Sequence, residues 1–413
     1  MIVGLDVGRA SVVAAALDCF PVNPKRYFNQ HRKEFVRLKT NIEGVEKLLA
    51  MEPSGLVMEP TGIWYAALWR ELAYAKNIPI YWVGHADLAA YRKSYGFTNK
   101  RDDEDAFSLA AMFYDERFID SLGRKRFLNF EEGAIVEVRE TFLELEQIDK
   151  NRNAAVNQIR QRLAKEFPEA CDRRSTISPK LGFSPFWGWL AGWHTYKRIE
   201  NEYNQSVAKI LGIEISQHTR DHATAICHLE LREFKAEQRL AGLLSLPEFQ
   251  SYLKVFRLFG FGLRNQALLL FHIYPFEKFL VDGKPWIEWE EGTEGKKQKR
   301  HRSLRSFQAY LGLAHTIEQS GDKKTKKFGG SDLCRAHLYM WAVDLICVPE
   351  KQRLKTRIGQ ILGAKYDDLR RWDYKDGKRI AGTGAIPGRD AIIRILFKAT
   401  ALLFRELCKE LVR

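Results

Sequence analysis

The sequence is poor in cysteine and has no long apolar run. Its 6 cysteines are spread over 413 residues, with neither the paired spacing of a metal site nor the density of a disulfide framework. They are Cys19, Cys171, Cys227, Cys334, Cys347 and Cys408. The apolar run 1–5 ends at Asp6, so it is too short for a membrane span and unlike a signal peptide. We therefore expect a reduced, cytoplasmic protein without a membrane-spanning segment.

Negative charge is also scarce relative to positive charge. Lys and Arg number 66 against 52 Asp and Glu, which gives a net charge of +14 and a pI near 9.4. Such a surplus attracts polyanions and is compatible with a nucleic-acid partner, although many proteins without one share it. A chain of 413 residues is long enough to bury two or three cores.

The N-terminal third alternates between strand and helix patterns. Strands are predicted at 1–8, 12–17, 34–39, 56–58 and 78–83. The capping pattern Thr40-Asn41-Ile42-Glu43 begins a helix that runs through Leu49, and a second helix is predicted over 64–72. Three strands followed by helix, strand, helix, strand and helix is the element order of a ribonuclease-H-like α/β sheet.

Four carboxylates occupy positions that this fold would bring together. In that order the first strand neighbours the fourth, so Asp6 and Glu59 should lie side by side at the sheet centre. Asp102 and Asp105 are three residues apart and share one face of a predicted helix, which Leu109 continues toward the sheet. We expect both of these carboxylates to point inward.

Such a cluster predicts a divalent metal site. Unpaired ionised carboxylates are costly to bury, so a positive charge is expected among Asp6, Glu59, Asp102 and Asp105. Ligands that offer only oxygen favour Mg²⁺ or Mn²⁺. Two such ions can clamp the attacking and leaving oxygens of a phosphodiester, which indicates nuclease-type chemistry.

Two other interpretations of these acids stay open. Acidic residues are common in the first turn of a helix, where they favour the helix dipole, so Asp102, Asp103 and Asp105 fit a purely structural role. The tetrapeptide Leu5-Asp6-Val7-Gly8 also resembles the phosphate-binding turn of actin-like sugar kinases. A second Asp-Gly phosphate-binding strand is not recognisable, and the ordered set of four acids favours a catalytic site.

After about residue 125 the pattern becomes helical. Apolar residues from Ile135 to Leu163 recur at steps of three and four, which predicts a long helix that ends near Phe167-Pro168. It pairs either with another chain as a coiled coil or with a later helix of the same chain. The aromatic residues at 186–193 favour a buried core over a base-stacking surface.

Three features of the C-terminal part suggest contacts with nucleic acid. Phe259-Gly260-Phe261-Gly262 fits either a helix-hairpin-helix turn or a simple glycine connector. The basic run 295–305 has no apolar periodicity, so it is predicted to be a mobile loop that orders on phosphates, or otherwise a solvated charge run. Ser320, in Gln319-Ser320-Gly321, is expected in an exposed loop among lysines; its hydroxyl needs a base or metal to act as a nucleophile, and none is obvious beside it.

The motifs, taken in order, are similar to those of one protein family. Leu5-Asp6-Val7-Gly8, Met58-Glu59-Pro60-Thr61-Gly62, the segment 100–106, Phe259-Gly260-Phe261-Gly262, Tyr310-Leu311-Gly312-Leu313 and Gln319-Ser320-Gly321 resemble the motifs of the DEDD transposases of the one-ten insertion-sequence family. These enzymes are relatives of the Piv-type DNA invertases. One departure is that Lys100-Arg101-Asp102 stands where the family has lysine-threonine-aspartate, and Asp103 and Glu104 add two further acids.

The resemblance implies an organisation and an activity. It implies a RuvC-like catalytic domain over 1–125, a coiled coil and helical linker over 126–250, and a mainly α C-terminal transposase domain over 251–413. Asp6, Glu59, Asp102 and Asp105 would bind Mg²⁺ or Mn²⁺, and Ser320 would be the nucleophile that forms a transient phosphoserine link to DNA.

The resemblance also implies partners. A structured bridge RNA would pair with donor and target double-stranded DNA, and the acids of one subunit would serve the serine of another in a dimer or tetramer. The location implied is the bacterial cytoplasm, on the nucleoid when DNA is bound. Two rival functions remain: a RuvC-like junction nuclease that does not need Ser320, and a non-catalytic nucleic-acid-binding protein.

Overall fold

A computed structural model describes residues 1–60, 64–97, 100–119, 125–128, 133–291, 297–320, 323–375 and 378–412. For 315–320, 323–327, 374 and 378 it describes the backbone alone. The chain forms two compact units, Met1–Phe130 and Glu131–Arg413. The first contains a small mixed sheet with helices, and the second is largely helical. Among the described helices, none combines the length and the apolar character that crossing a membrane requires.

The N-terminal unit is built from a sheet and five described helices. The strands are β1 (Ile2–Val7), β2 (Ser11–Leu17), β3 (Val36–Lys39), β4 (Gly55–Met58) and β5 (Ile80–Trp82). The helices are α1 (Pro24–His31), α2 (Ile42–Leu49), α3 (Ala67–Ala75), α4 (His85–Ser94) and α5 (Asp102–Tyr114).

The sheet has the strand order β3-β2-β1-β4-β5. β1 runs antiparallel to β2 and parallel to β4, and β4 runs parallel to β5. The predicted adjacency of the first and fourth strands is confirmed. The prediction of three strands in succession was wrong, because α1 lies between β2 and β3. Asn23 caps α1 by accepting a hydrogen bond from the Arg26 N–H, and Pro24 occupies its first turn.

Helix α5 packs directly on the central strand. Residues 104–112 of α5 are all buried, and an added Cβ at Gly4 in β1 would lie 2.1 Å from the carbonyl oxygen of Ala106. A side chain at position 4 would therefore force the helix off the sheet. The close approach of the two backbones holds the first turn of α5, with its acids, beside the end of β1.

The second unit contains eleven described helices and four described hairpins. The helices are α6 (Ala134–Glu166), α7 (Pro185–Leu190), α8 (Lys197–Asn204), α9 (Val207–Ile210), α10 (Gln217–Leu244), α11 (Gln250–Leu258), α12 (Leu263–Ile273), α13 (Arg302–Tyr310), α14 (Asp332–Leu345), α15 (Arg357–Arg370) and α16 (Gly388–Leu411). The hairpins are β6 (Leu280–Val281) with β7 (Lys284–Pro285), β8 (Ile287–Glu291) with β9 (Lys297–His301), β10 (Ala314–Ser320) with β11 (Lys323–Gly329), and β12 (Asp373–Lys375) with β13 (Lys378–Ile380).

Helices α6 and α10 form an antiparallel pair. Phe142 near the start of α6 shares a core with Leu240 near the end of α10, whereas Ile159 near the end of α6 shares a second core with Ile226. Of the two alternatives for the long helix, the structure has the hairpin within one chain. The aromatic residues of α7 belong to the second core, where Trp187 is 2% exposed, so the prediction of a packed cluster is confirmed for them, whereas Trp193 is 39% exposed.

Helices α11 to α16 share the core at the start of α6. That core extends across residue 250 to the last helix, α16. Phe259 and Phe261 stack in it with ring centroids 5.4 Å apart, between α11 and α12. Gly260 makes this turn with φ of +62°, and a Cβ there would lie 2.7 Å from the Leu354 side chain. The glycine motif is thus a tight helix-to-helix turn, as either of its two predicted roles requires.

Two local predictions in this unit were wrong. The basic run 295–305 is not a loop where it is described, because Lys297–His301 is strand β9 and Arg302 begins α13. Ser320 is not in a loop either, since it is the last residue of β10 and pairs with Lys323 of β11. In both places the backbone forms hydrogen bonds across a two-stranded ribbon. The many charged residues give these segments no strand pattern in the sequence.

Candidate metal centre of the N-terminal unit

The first two acids lie at the ends of neighbouring parallel strands. Leu5 of β1 is in register with Met58, the last residue of β4. Asp6 and Glu59 are the residues that follow Leu5 and Met58 in the chain. The same ends of two adjacent parallel strands meet at one edge of the sheet. The structure therefore brings Asp6 and Glu59 side by side, as the element order predicts.

The other two acids lie in the first turn of α5. Asp105 is 6% exposed, in agreement with the expected inward orientation. Asp102 is not inward, because its side chain is 57% exposed and lies against Arg37. A spacing of three places the two residues on one face of the helix only approximately, and at the first turn one of them reaches solvent.

The four carboxylates are close enough to act on one another. The pKa of Asp6 is raised from 3.8 to about 7, first by burial and then by the charges of Asp105, Asp102 and Glu59, while the charge of Lys100 lowers it. Burial also raises the pKa of Asp105. A carboxyl with a pKa of about 7 is half protonated near neutral pH, so this position favours a proton or a cation.

Arginine cations already pair with two of the acids, and a histidine ring contacts a third. Arg92 of α4 donates to Asp105 at 2.6 Å, and both side chains are buried. Arg37 of β3 donates to Asp102 at 2.9 Å. His85 at the start of α4 lies 3.1 Å from Glu59 through Nδ1. Arg92 and Arg37 are positive charges of the kind that the burial argument requires.

The sequence predicts a positive charge among the acids but does not show which residues supply it. Arg92 follows Leu88 by four residues, so both fall on the buried face of α4, and that spacing was the available signal. Arg37 and His85 carried no comparable signal, because each meets its acid only through the pairing of distant elements.

The four acids have the right ligand atoms for a hard divalent ion, but their side chains are not close enough together to share one. All four side chains offer carboxylate oxygens, the ligands that Mg²⁺ and Mn²⁺ prefer. Within the described ranges, no three His, Cys, Asp or Glu side chains stand close enough to share an ion. The Arg37 and His85 side chains are 61% and 63% exposed, so their exchange for a metal ion costs little. The buried pair of Arg92 and Asp105 is the firmer contact.

The two extra acids of α5, Asp103 and Glu104, have neighbours of their own. Asp103 lies 3.1 Å from Arg101 and 3.6 Å from Arg32. Glu104 is 7% exposed, and burial raises its pKa. It lines a separate small cavity with Arg32 and Arg101. Neither Asp103 nor Glu104 is among the charges that shift the pKa of Asp6.

Ser320 lies in a basic ribbon of the second unit. It forms the last described rung of the β10–β11 hairpin opposite Lys323. Strand β11 also carries Lys324, Lys326 and Lys327. The Ser320 side chain and the whole of Gly321 lie outside what the structure describes. Its role as a nucleophile stays a prediction.

The β8–β9 hairpin is a second ribbon, and its two faces carry different side chains. On one face Arg300 and Arg302 are held by Glu290, at 2.6 and 2.8 Å. On the other, Trp289 is 64% exposed, and the Lys299 ammonium lies 6.0 Å from its ring centroid. An exposed indole beside a lysine is the kind of surface on which nucleobases stack.

Comparison of the sequence with models of protein families and with curated proteins gives no match. The case for a functional site therefore depends on geometry and charge. The convergence of Asp6, Glu59, Asp102 and Asp105 on one sheet edge carries that case.

Proposed function

We propose that this chain is a metal-dependent DNA transposase or recombinase, with Asp6, Glu59, Asp102 and Asp105 as its metal-binding acids. The observation that carries the proposal is the convergence of these acids from two parallel strands and one helix. The strand order β3-β2-β1-β4-β5 supports a ribonuclease-H-like, RuvC-like fold for this unit. The net charge of +14 supports a polyanionic substrate.

The acids contribute in different ways. When bound, Mg²⁺ or Mn²⁺ polarises phosphate oxygens and lowers the pKa of the attacking group. Asp6 and Glu59 would hold the ion from the sheet edge, where the strand ends fix their positions. Asp105, which Arg92 orients, would offer its carboxylate from the helix. Asp102 would have to give up its ion pair with Arg37 to become a ligand.

Ser320 is the proposed nucleophile. Attack by its Oγ on a backbone phosphorus forms a phosphoserine ester and breaks one P–O bond of the strand, whose leaving oxygen takes a proton. The reverse attack by another DNA hydroxyl restores a phosphodiester and frees the serine. Because the number of phosphoester bonds is constant, the strands are rejoined without ATP.

The partners follow from the same proposal. A structured bridge RNA pairs with donor and target DNA, and the basic ribbons around Lys323 and Lys299 supply contacts to phosphates and bases. The acids of one subunit serve the serine of another, so the active form is at least a dimer. No sequence of the donor or target is implied.

A second function is favoured by one observation. The four acids gather within the N-terminal unit, so a RuvC-like nuclease that hydrolyses branched DNA needs no serine. The two functions differ in the covalent step. Hydrolysis leaves no protein on the DNA, whereas strand exchange passes through an adduct.

The test is to trap that adduct. The full chain is expressed together with the non-coding DNA that flanks its coding sequence, and is then incubated with MgCl2 and labelled DNA that carries the joined flanks. We expect a denaturation-resistant, protease-sensitive adduct from the unmodified protein and none from Ser320→Ala or Asp6→Asn. Asp18→Asn, at an 81% exposed side chain, is the matched control and should form the adduct.

Each alternative result has a definite meaning. Metal-dependent cleavage that persists in Ser320→Ala favours the nuclease. Adduct formation that persists in Asp6→Asn overturns the metal-site assignment. Binding of RNA or DNA without either reaction, in every variant, favours the non-catalytic protein.

A further inference from the structure

An open cleft lies beside Asp102, at the start of α5. Its volume is about 480 Å³. Val13 and Phe35 provide its apolar surface. The rest of its lining is charged, and consists of Arg32, Arg37, Lys100, Arg101, Asp102 and Asp103. All of these belong to the N-terminal unit.

The cations of the cleft exceed its acids by two. Asp103 lies 3.1 Å from Arg101 and 3.6 Å from Arg32, and Asp102 lies 2.9 Å from Arg37. These ion pairs leave uncompensated positive charge in a concave surface. The exposed fractions of the Arg32, Arg37 and Arg101 side chains are 40%, 61% and 41%, so their guanidinium groups are accessible to a ligand.

Arg37 is held in place from two sides. Its Nη1 donates to Ser11 Oγ at 3.1 Å, and its Nη2 donates to Asp102 at 2.9 Å. Its backbone pairs with Val13 across β2 and β3. A guanidinium anchored on a sheet, with further arginines opposite, offers the planar donor geometry that phosphate oxygens accept in pairs.

The cleft is continuous with the candidate metal centre. Asp102 lines the cleft and also acts electrostatically on Asp6, and so does Lys100. A strand whose phosphate reaches the acids therefore passes the arginines as well. If a cation were bound by Asp102, the Nη2 donor of Arg37 would become available to a ligand in the cleft, while Nη1 would keep its bond to Ser11.

We propose that Arg32, Arg37, Lys100 and Arg101 form a site that binds a phosphodiester of the nucleic-acid strand next to the one held by the acids. This rests on the proposed function, because it takes the substrate to be a nucleic acid. The apolar surface of the cleft is limited to Val13 and Phe35, so the site holds the charged backbone and does not enclose a base.

The experiment measures binding without catalysis. A fluorescently labelled single-stranded DNA oligonucleotide and a labelled four-way DNA junction are titrated with the full chain in EDTA, at several salt concentrations. Arg32→Gln and Arg37→Gln are compared with Arg26→Gln, which removes the same charge from the exposed face of α1 outside the cleft. Unchanged melting temperatures show that each variant is folded.

Arg32→Gln and Arg37→Gln should each weaken binding about tenfold and reduce the slope of log K against log salt by roughly 0.7 to 0.9. Arg37→Lys should restore part of the affinity, since it keeps the charge without the planar donors. If Arg32→Gln and Arg37→Gln bind DNA with the same affinity as Arg26→Gln, the proposal that the cleft binds a phosphodiester is overturned. Inorganic phosphate that binds the unmodified protein and not the variants, with oligonucleotide binding unaltered, would make it a free-phosphate site and overturn the proposal.

Failure here is distinguishable from failure of the proposed function. The titrations contain no metal, so they do not depend on the acids as metal ligands. If the arginine variants bind DNA normally while Asp6→Asn abolishes the adduct, the cleft is wrong and the recombinase stands. If the arginine variants bind DNA poorly while Asp6→Asn still forms the adduct, the cleft is supported as a phosphodiester site and the assignment of the metal site is wrong.

Discussion

Gly4 and Ala106 are in such close contact that the position of the candidate site depends on them. A Cβ on Gly4 would lie 2.1 Å from the carbonyl oxygen of Ala106 and 2.6 Å from the amide nitrogen of Ala110. Both obstacles are backbone atoms, so rotation of a side chain cannot relieve them. The absence of a side chain at one strand position thus sets how near Asp102 and Asp105 come to Asp6.

Gly4→Ala should therefore damage stability and metal binding together. Overpacking of this kind costs about 1 to 3 kcal/mol, and displacement of α5 moves two of the four acids. Urea unfolding and Mn²⁺ titration of the variant measure the two effects. Gly242→Ala is the control, because position 242 is an exposed site on α10 with nothing within 4 Å of the added Cβ, and it should be neutral or slightly stabilising. Normal metal affinity in a destabilised Gly4→Ala would show that α5 does not set the site.

Asp6→Asn should become more stabilising as pH rises. The pKa of Asp6 is about 7 in the fold against 3.8 for the free side chain, so the folded protein binds the proton more tightly. The contribution of protonated Asp6 to the free energy of unfolding is fully present below pH 3.8 and is lost as pH rises toward 7. The loss is roughly 3 kcal/mol, with allowance for partial solvent access. Metal-free urea unfolding at pH 4 and pH 8 tests this. Equal differences between variant and unmodified protein at both pH values would contradict it.

His272 should give the opposite dependence in the second unit. Its Nδ1 donates to the Leu268 carbonyl at 2.9 Å, and burial lowers its pKa from 6.5 to about 4. The neutral ring is the folded form, so its contribution is present above pH 6.5 and is lost as pH falls toward 4. His272→Gln should remove about 2 kcal/mol of the stability lost between pH 7 and pH 4.5. An unchanged acid transition in the variant would show that His272 is not protonated on unfolding.

The positions of Asp6, Glu59 and Asp105 were predictable from the sequence, but the exposure of Asp102 and the partners of the acids were not. A short apolar run that ends in Asp6, and the element order that pairs β1 with β4, depend on local patterns that a sequence displays. Arg92 and Asp105 are 13 residues apart, and Arg37 and Asp102 are 65 apart. Such pairs form only when separate elements pack, and one arginine among many carries no mark of its partner.

Two elements show where local evidence was available but insufficient. Asn23-Pro24 is a helix-start signal, and α1 follows it, yet the segment is short and sits between strands. The lysine-rich segment of β9 has low strand propensity, and only its register with Ile287–Glu291 makes it a strand. Partner strands and close backbone contacts, such as that of Gly4, decide these cases.

The central claim is that Asp6, Glu59, Asp102 and Asp105 together bind a divalent cation, and calorimetric titration of Mn²⁺ into the full chain at pH 8 tests it most directly. We expect the unmodified protein to bind Mn²⁺ and Asp18→Asn, the exposed control, to bind it equally. Asp6→Asn and Glu59→Gln should each weaken binding at least tenfold, since each removes a charged ligand. Equal Mn²⁺ affinity in Asp6→Asn and the unmodified protein, or no binding by the unmodified protein, would contradict the account.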